Sequence, residues 1–544
     1  GFKTFRESHE TRNGRIFVGA NDGMLHAFDD DDGSEAWAYI PSMLILDPND
    51  PYQLDNLGNI KLDADGNPVI KTSKLRKLAN LPYIHTYYVD GQLTVASVQR
   101  SGAWLSALAG GLGAGGKGLY ILDVTDDDPQ TDKILFELTG SEFGHIYGRP
   151  RIGRRSVSDG SGGQTYKWYI ITGNGYGSDD GYAKLLMISL DDGSVESILA
   201  SDGSTATVAD GLSAPVLVDA TGNFAADFAF AGDTNGDMWK FNLNDTSKKP
   251  VKIYDGNANQ PITTAPTVGR HPAGGYMVYF GTGSVTSLLD ARDESTQQAL
   301  LAIWDSAPAG VTDIVEQTMV QLSSIKFSST DADGATTENT RTVRYVQNET
   351  VDGSDSGKPQ SVDYSKTKGW MINFPPETKS EDGQGCGSSL GERVIGPPQL
   401  RAGRVSVVTT NPPGLNCDDN LVGNSWLLSL GYLTGSEIDA LGQPEVVFNL
   451  SGDSLMNEDD MISTLSPPKP PVGIKLGDGN IAQPTFARLG LGADIMLING
   501  LRLPLPTNPV PGPFLNGHID VETDSPAGGV SSPNHISDMS EGYD

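Results

Sequence analysis

The stretch Arg15-Ile-Phe-Val-Gly-Ala-Asn-Asp-Gly-Met-Leu-His-Ala-Phe-Asp29, continued to Ile40, decides the fold of this chain. It contains short apolar runs that are separated by clusters of Gly, Asn and Asp. Runs of this length, bounded by turn residues, are typical of β-strands joined by hairpins. The predicted strands are Arg15–Val18, Met24–Phe28 and Glu35–Ile40. Three antiparallel strands within about thirty residues make most of one β-propeller blade.

The same pattern recurs along the chain, which predicts an all-β fold of repeated units. Six units are clear, and counting a seventh, which would close the ring, requires stretching the pattern to residues 483–499. Their apolar runs are residues 119–124, 167–172, 185–190, 214–218, 228–231, 238–243, 277–280, 299–304, 369–374, 404–410, 425–430, 483–486 and 494–499. We therefore predict one β-propeller domain over residues 1–501, with insertions at about 44–83, 306–366 and 443–472. The Pro- and Gly-rich, acidic segment 502–544 is predicted to be extended or disordered.

Composition and charge limit the possible functions. The chain has 544 residues, 66 of them Gly and 33 Pro, and a formal net charge of −31. Such a negative charge argues against nucleic-acid and anionic-membrane binding and favours divalent cations. No apolar run is long enough to span a membrane. The start at Gly1 carries neither an initiator Met nor a signal peptide, which indicates a processed or truncated piece of a longer protein.

The loop Asp219-Ala-Thr-Gly-Asn-Phe-Ala-Ala-Asp227 has oxygen-bearing side chains at positions one, three, five and nine. This spacing can direct the side chains and the position-seven backbone carbonyl towards one point, and hard oxygen ligands suit Ca²⁺. The predicted ligands are Asp219, Thr221, Asn223, the Ala225 carbonyl and Asp227. The flanks are short apolar runs, so the loop is a hairpin tip and not an EF-hand. The alternative is a solvated turn built from ordinary turn residues.

The two cysteines, Cys386 and Cys417, lie in loops rich in small and polar residues. They could form a disulfide, remain free thiols or provide half of a metal site. No neighbouring Cys or His completes a zinc-ligand set. If the protein is exported, a disulfide between them is the favoured interpretation.

Several separated motifs resemble the C-terminal domain of the type IV pilus tip-associated adhesins, the PilC/PilY family. The ordered set includes the Asp219–Asp227 loop and covers roughly residues 5–305. Its other members are residues 18–29, 37–42, 88–91, 110–120, 122–125, 173–176, 231–233, 238–241 and 279–283.

The resemblance implies a modified seven-bladed β-propeller similar to quinoprotein folds, with one calcium site in the nine-residue loop. Family members typically have a carboxylate where Thr221 or Asn223 stands here, a departure that bears on affinity. The family also implies a calcium-binding pilus biogenesis factor and adhesin that controls pilus extension and retraction. Its expected location is extracellular, at the pilus tip or on the outer-membrane surface of a Gram-negative bacterium. Expected partners are major and minor pilins and a host-cell receptor.

Two other function classes share the propeller fold, namely quinoprotein dehydrogenases and carbohydrate-binding propellers. The dehydrogenases cap their cofactor with a disulfide between adjacent cysteines, which Cys386 and Cys417 cannot form. The seven His residues are scattered without metal-ligand spacing. His26 lies in a predicted strand, and we interpret it as a structural residue. The acidic run 29–32 reads as a solvated turn. We therefore expect a binding protein and not an enzyme.

Overall fold

The structure of the protein is a computed structural model. The described chain forms two compact units, the first containing Gly1–Ala231 and Phe241–Pro250, and the second containing Gly232–Lys240 and described residues from Val251 onward. The structure describes residues 1–45, 59–64, 66–69, 73–79, 81–126, 133–158, 160–161, 163–203, 209–286, 293, 295–330, 334–347, 350–351, 354–355, 361–378, 388–411, 424–438, 442–452, 456–478, 485–489, 493–498 and 501–504.

The described chain begins with one short helix and continues as antiparallel sheets. The helix is α1 (Phe2–Ser8), and short 3-10 helices cover Ser42–Leu44, Lys74–Ala79 and Gly113–Gly115. The strands up to the fourth sheet are β1 (Arg15–Gly19), β2 (Leu25–Asp29), β3 (Glu35–Tyr39), β4 (Leu93–Arg100), β5 (Ala103–Gly111), β6 (Leu119–Asp123), β7 (Ile134–Leu138), β8 (Arg151–Ser158), β9 (Gln164–Gly173), β10 (Lys184–Ser189), β11 (Val195–Leu199), β12 (Val216–Val218), β13 (Phe228–Gly232), β14 (Met238–Asn242) and β15 (Val251–Tyr254).

Each sheet in this part of the chain is built from strands that follow one another in sequence. The orders are β1-β2-β3, β4-β5-β6-β7, β11-β10-β9-β8 and β12-β13-β14-β15, all antiparallel. Hairpin connections of consecutive strands give this order directly. The first strand is therefore an edge strand in every sheet.

The second and third sheets share one apolar core. Apolar side chains of both sheets, including Ile121, Ile152 and Ile170, are completely buried in a single cluster. Their central strands are apolar on both faces, because each sheet is covered on both sides. The cluster also includes Trp168 on β9, which is 5% exposed. The repeated apolar runs in the sequence thus form stacked sheets.

The remaining strands lie in the second unit, together with one further 3-10 turn at Glu458–Asp460. The strands are β16 (Thr267–Arg270), β17 (Tyr276–Gly281), β18 (Ala299–Trp304), β19 (Asp313–Gln317), β20 (Met319–Thr330), β21 (Thr336–Val346), β22 (Thr350–Val351), β23 (Ser354–Asp355), β24 (Thr367–Asn373), β25 (Glu377–Thr378), β26 (Ser388–Ser389), β27 (Arg393–Val394), β28 (Gln399–Arg401), β29 (Arg404–Asn411), β30 (Asn424–Gly431), β31 (Gly473–Asp478), β32 (Thr485–Leu489), β33 (Ala493–Ile498) and β34 (Leu501–Pro504).

Two larger sheets organise this second unit. One has the order β16-β17-β18-β24-β19, in which β19 runs parallel to β24, and the other has the order β20-β21-β31-β30-β29-β27 with β28 beside β29. The strands β32, β33 and β34 form a separate three-stranded sheet. Trp370 and Trp426, both completely buried, lie in one cluster that joins residues of the two larger sheets.

The predicted all-β class is confirmed, apart from the short helix α1. The seven-blade count remains a prediction. The segment 306–366, predicted as an insertion, contains the long hairpin β20–β21, whose strand β21 pairs with β31. Apolar residues of the segment 443–472, including Phe448, pack against Phe327 of that hairpin. Strand β34 includes residues 502–504 of the segment predicted to be extended or disordered, and residues 505–544 lie outside the described residues, so that prediction stays a prediction.

No helix among the described residues is long and apolar enough to cross a membrane.

Candidate metal centre

The loop 219–227 is the tip of a hairpin, as the sequence predicts. Strand β12 pairs with β13 in the register Val216↔Phe230, Leu217↔Ala229 and Val218↔Phe228. The N–H of Asp227 donates to the carbonyl of Val218, which closes the loop. The apolar flanks therefore form two paired antiparallel strands, and the polar residues between them form the turn.

The Asp219 carboxylate lies among backbone N–H groups of its own loop. Its Oδ1 accepts from the N–H groups of Thr221 at 3.1 Å, Gly222 at 2.6 Å and Asn223 at 3.2 Å. Its Oδ2 accepts from the N–H of Phe224 at 2.7 Å. Residues 221–224 are exposed, so water reaches this side of the loop. The Asp219 carboxylate thus stabilises the turn by accepting hydrogen bonds on its solvent-exposed side.

The Asp227 carboxylate approaches the same turn from the buried side, since this residue is only 4% exposed. Its Oδ2 accepts from the N–H groups of Ala220 at 2.8 Å and Thr221 at 3.0 Å, and from the Thr221 hydroxyl at 3.2 Å. Its Oδ1 accepts from Nδ2 of Asn244 at 2.7 Å. The Thr221 N–H is shared with Asp219, so the two carboxylates converge at Thr221.

Arg154 on β8 holds the carbonyl side of the loop. Its Nε donates to the carbonyl of Phe224 and its Nη2 to the carbonyl of Asn223, both at 3.0 Å. Its own carbonyl accepts from the N–H of Ala226 at 2.8 Å. The guanidinium lies 5.1 Å from the ring centroid of Tyr166, and burial lowers its pKa. The loop is therefore anchored to a neighbouring sheet.

The backbone of the loop adopts two left-handed conformations. Gly222 has φ 74° and Phe224 has φ 59°. The first suits glycine, but the second is uncommon for a residue with a bulky side chain. The Phe224 side chain is 40% exposed, so no core packing of its ring explains this conformation. The contacts of Asp219 and Arg154 with the Phe224 backbone hold it there.

The donor set fits a hard cation. Three predicted ligands, Asp219, Thr221 and Asp227, meet at one point, and among the described residues neither carboxylate forms an ion pair. Asn223 Oδ1 accepts from the N–H of Ala225 at 2.9 Å and has a second lone pair available. The Arg154 guanidinium is nearby but donates to the loop carbonyls, so the two carboxylates carry negative charge that no direct ion pair among the described residues offsets. A Ca²⁺ ion would balance it, using oxygen donors of the kind it prefers.

Other residues singled out from the sequence lie elsewhere. Cys386 and Cys417 are outside the described residues, so their pairing remains a prediction. The ring of His26 contacts Glu35 at 2.6 Å and Asp22 at 2.9 Å, and the hydrogen bond to Glu35 raises its pKa. Carboxylates of the acidic run 29–31 lie close together, and Asp29 is paired with Arg15.

Sequence reasoning did not identify Arg154 or Asn244 as parts of the loop. Arg154 precedes the contacted Asn223 by 69 residues and lies in another sheet. Asn244 follows Asp227 by 17 residues, beyond the next strand. Neither belongs to the nine-residue spacing. The run of arginines around residue 154 is an unusual feature in an acidic chain, and it was the available signal.

Comparisons with known proteins identify relatives in a single family. A family model described as the PilY1 beta-propeller domain matches residues 1–258 and 246–325. The type IV pilus biogenesis factor PilY1 of Pseudomonas aeruginosa strain PAO1 is 32% identical over 476 residues, which is 80% of this chain and 36% of that protein. A protein named as a PilY1 homolog in Xylella fastidiosa is 32% identical over 82% of this chain and 27% of its own length.

The crystal structure of the Pseudomonas aeruginosa PilY1 C-terminal domain is similar to this structure. The TM-score is 0.62 with 27% sequence identity, over 93% of this chain and 96% of that one. The chain spans about a third of the length of the curated Pseudomonas relative. Similarity at this level extends over nearly the whole of the crystallised domain.

Proposed function

The chain belongs to the PilY1 β-propeller family, and from that membership we propose that it is a calcium-binding type IV pilus biogenesis factor and tip-associated adhesin. In this role it regulates pilus extension and retraction and surface attachment, in contact with pilins and with a host-cell receptor. Its site of action is extracellular, at the pilus tip or on the outer-membrane surface. The observation that supports calcium binding is the convergence at Thr221 of two carboxylates, neither of which has an ion-pair partner among the described residues.

The proposed scaffold is a modified seven-bladed propeller. Four-stranded sheets of consecutive strands support it, since this is the architecture of a propeller blade. The role is binding and not catalysis. The curated relatives are named biogenesis factors, and the candidate site consists of oxygen ligands without a nucleophile.

Calcium would be held by Asp219, Thr221, Asn223, the Ala225 carbonyl and Asp227, with water completing the set. The ion supplies positive charge to two converging carboxylates and orders the exposed part of the loop. This set contains two formal negative charges, fewer than in the tightest calcium sites, so we expect affinity in the range of extracellular modules. A loop ordered in this way presents a fixed surface to a partner.

The test is a calcium titration of wild type and Asp219→Ala by calorimetry. We expect one site in wild type and at least about a tenfold loss of affinity in the variant, because one of two charged ligands is removed. The fold should persist, since water can satisfy the exposed amides of residues 221–224. The matched control is Asp192→Ala, an exposed turn carboxylate that accepts from the N–H of Ser194 and should leave calcium binding unchanged.

The same variant in the full-length protein tests the regulatory part. Cells carrying Asp219→Ala should export the protein and show altered pilus number or twitching motility. Unchanged calcium affinity contradicts the site. Lost affinity with wild-type piliation and motility contradicts only the regulatory role.

Arg154→Lys should weaken calcium binding several-fold while keeping the charge. Lysine cannot reproduce the planar fork that contacts two adjacent carbonyls at 3.0 Å. The loop would then have to be ordered by the ion itself, which costs part of the binding free energy. Calorimetry measures the affinity, and loop amide exchange should increase in the calcium-free variant. Equal affinity and equal exchange would show that the anchor is dispensable.

A further inference from the structure

Arg149 and Arg151, at the start of β8, have no acidic partner among the described residues. Arg151 is only 7% exposed, and its one hydrogen bond there is from Nε to the carbonyl of Pro215 at 2.9 Å. Arg149 is partly buried, and its Nε is buried without any hydrogen-bond partner. A guanidinium has five N–H donors, so most of the donors of this pair are unused by the described protein.

This arrangement differs from that of two other buried arginines, Arg155 and Arg404. Arg155 is paired with Glu196 at 2.6 Å, and Arg404 with Glu445 at 3.1 Å. Buried charges are normally paired, because removing a charge from water is costly. The chain has 69 acidic residues against 38 basic ones. Acidic residues are therefore abundant, yet none of those that the structure describes forms an ion pair with Arg149 or Arg151.

The pair lies where the first strands of three successive sheets adjoin. The Thr94 hydroxyl of β4 donates to the carbonyl of Pro150 at 2.5 Å, between the two arginines. On the other side, Arg151 reaches the carbonyl of Pro215, just before β12. A side chain at Gly148 would collide with Ala214, since its Cβ would lie 2.5 Å away. The backbone around the arginines is thus held from both sides.

The two guanidiniums also affect one another. Burial lowers the pKa of Arg151 to about 10, and the charge of Arg149 contributes to this shift. Burial likewise lowers the pKa of Arg149. Arginine stays protonated in proteins, so Arg149 and Arg151 carry two positive charges, two residues apart in the chain, in a partly desolvated position. An oxyanion with two negative charges would balance them and accept the unused donors in the forked geometry that arginine favours.

We propose that Arg149 and Arg151 form a binding site for a small dianionic oxyanion, of the class that includes short dicarboxylates and phosphate. The site is separate from the calcium loop and independent of the proposed pilus role. Small size follows from the burial of Arg151. The acidic surface disfavours long-range attraction of anions, so binding relies on short-range contacts with the two guanidiniums.

The test uses the full chain in buffer freed of calcium by a chelating resin. Sodium malonate and sodium phosphate are titrated separately by calorimetry, each at constant ionic strength against sodium chloride. We expect saturable binding of at least one of the two anions, and an increased melting temperature through mass action. If only malonate binds, the ligand class is the dicarboxylates; if only phosphate binds, it is phosphate. Heats equal to those of chloride for both would overturn the proposal.

Arg149→Met should reduce the affinity of the anion that binds at least about tenfold, because hydrogen bonds to a charged group are lost. Without anion its melting temperature should equal or exceed that of wild type, since Arg149 makes no hydrogen bond among the described residues. Arg149→Lys keeps the charge and should bind the anion with intermediate affinity. It still tests the site if Arg149→Met does not fold. Arg6→Gln on the exposed face of α1 is the charge-matched control and should bind as wild type. Full affinity in both Arg149 variants, or an equal loss in Arg6→Gln, would refute the site.

Discussion

Replacing Asp227 with alanine is expected to abolish calcium binding and also to lower the free energy of unfolding by about 1–3 kcal/mol. The stability effect follows from burial, because Asp227 is 4% exposed and accepts hydrogen bonds on both carboxylate oxygens. Alanine would leave the N–H of Ala220 and the Asn244 amide without their acceptor. Asp219 is expected to have the same role towards calcium, but the amides that it accepts from are exposed and can be hydrated.

The contrast between the two variants separates ligation from folding. Calorimetry with calcium should show loss of binding in both Asp219→Ala and Asp227→Ala. Urea unfolding in calcium-free buffer should show a lower midpoint chiefly for Asp227→Ala. Asp227→Asn, which retains one acceptor oxygen, should recover part of the stability without recovering calcium affinity. Equal midpoints for Asp219→Ala and Asp227→Ala would contradict the structural role that we assign to the buried carboxylate.

Local patterns predicted the strands and the loop tip well. The runs 228–231 and 238–243 are apolar and bounded by turn residues, and they form β13 and β14 within one residue of the predicted limits. The hairpin at 219–227 was predictable because its turn residues and flanking strands are contiguous. These features depend on interactions between near neighbours in sequence, which a single sequence displays.

Features that depend on distant contacts were not predictable in the same way. The segment 306–366 has a polar composition, yet its strand β21 gains a partner in β31, more than a hundred residues later. The anchoring of the 219–227 loop by Arg154 requires two sheets to be adjacent. That Arg149 has no partner among the described residues is likewise visible only in three dimensions. Composition and residue spacing do not indicate which sheets pack against each other.

The strongest effect on stability is expected at the ion pair between Arg344 and Glu392 in the second unit. Arg344 is completely buried and Glu392 is 1% exposed, and two hydrogen bonds of 2.7 Å join them. The guanidinium lies 3.7 Å from the ring centroid of Trp426. The Thr409 hydroxyl donates to Glu392 at 2.5 Å. The pair therefore links β21, β29 and β30 of the largest sheet.

Glu392→Gln should lower the free energy of unfolding by about 3–5 kcal/mol, because it leaves the Arg344 charge buried without a counterion. Urea unfolding followed by tryptophan fluorescence measures the change. Glu338→Gln is the matched control, since its pair with Lys326 is exposed and should contribute less than about 1 kcal/mol. The double variant Arg344→Met with Glu392→Gln should be more stable than Glu392→Gln alone, because the unpaired charge is gone. If the double variant is no more stable, packing of the arginine stem against Trp426, and not charge pairing, stabilises this sheet.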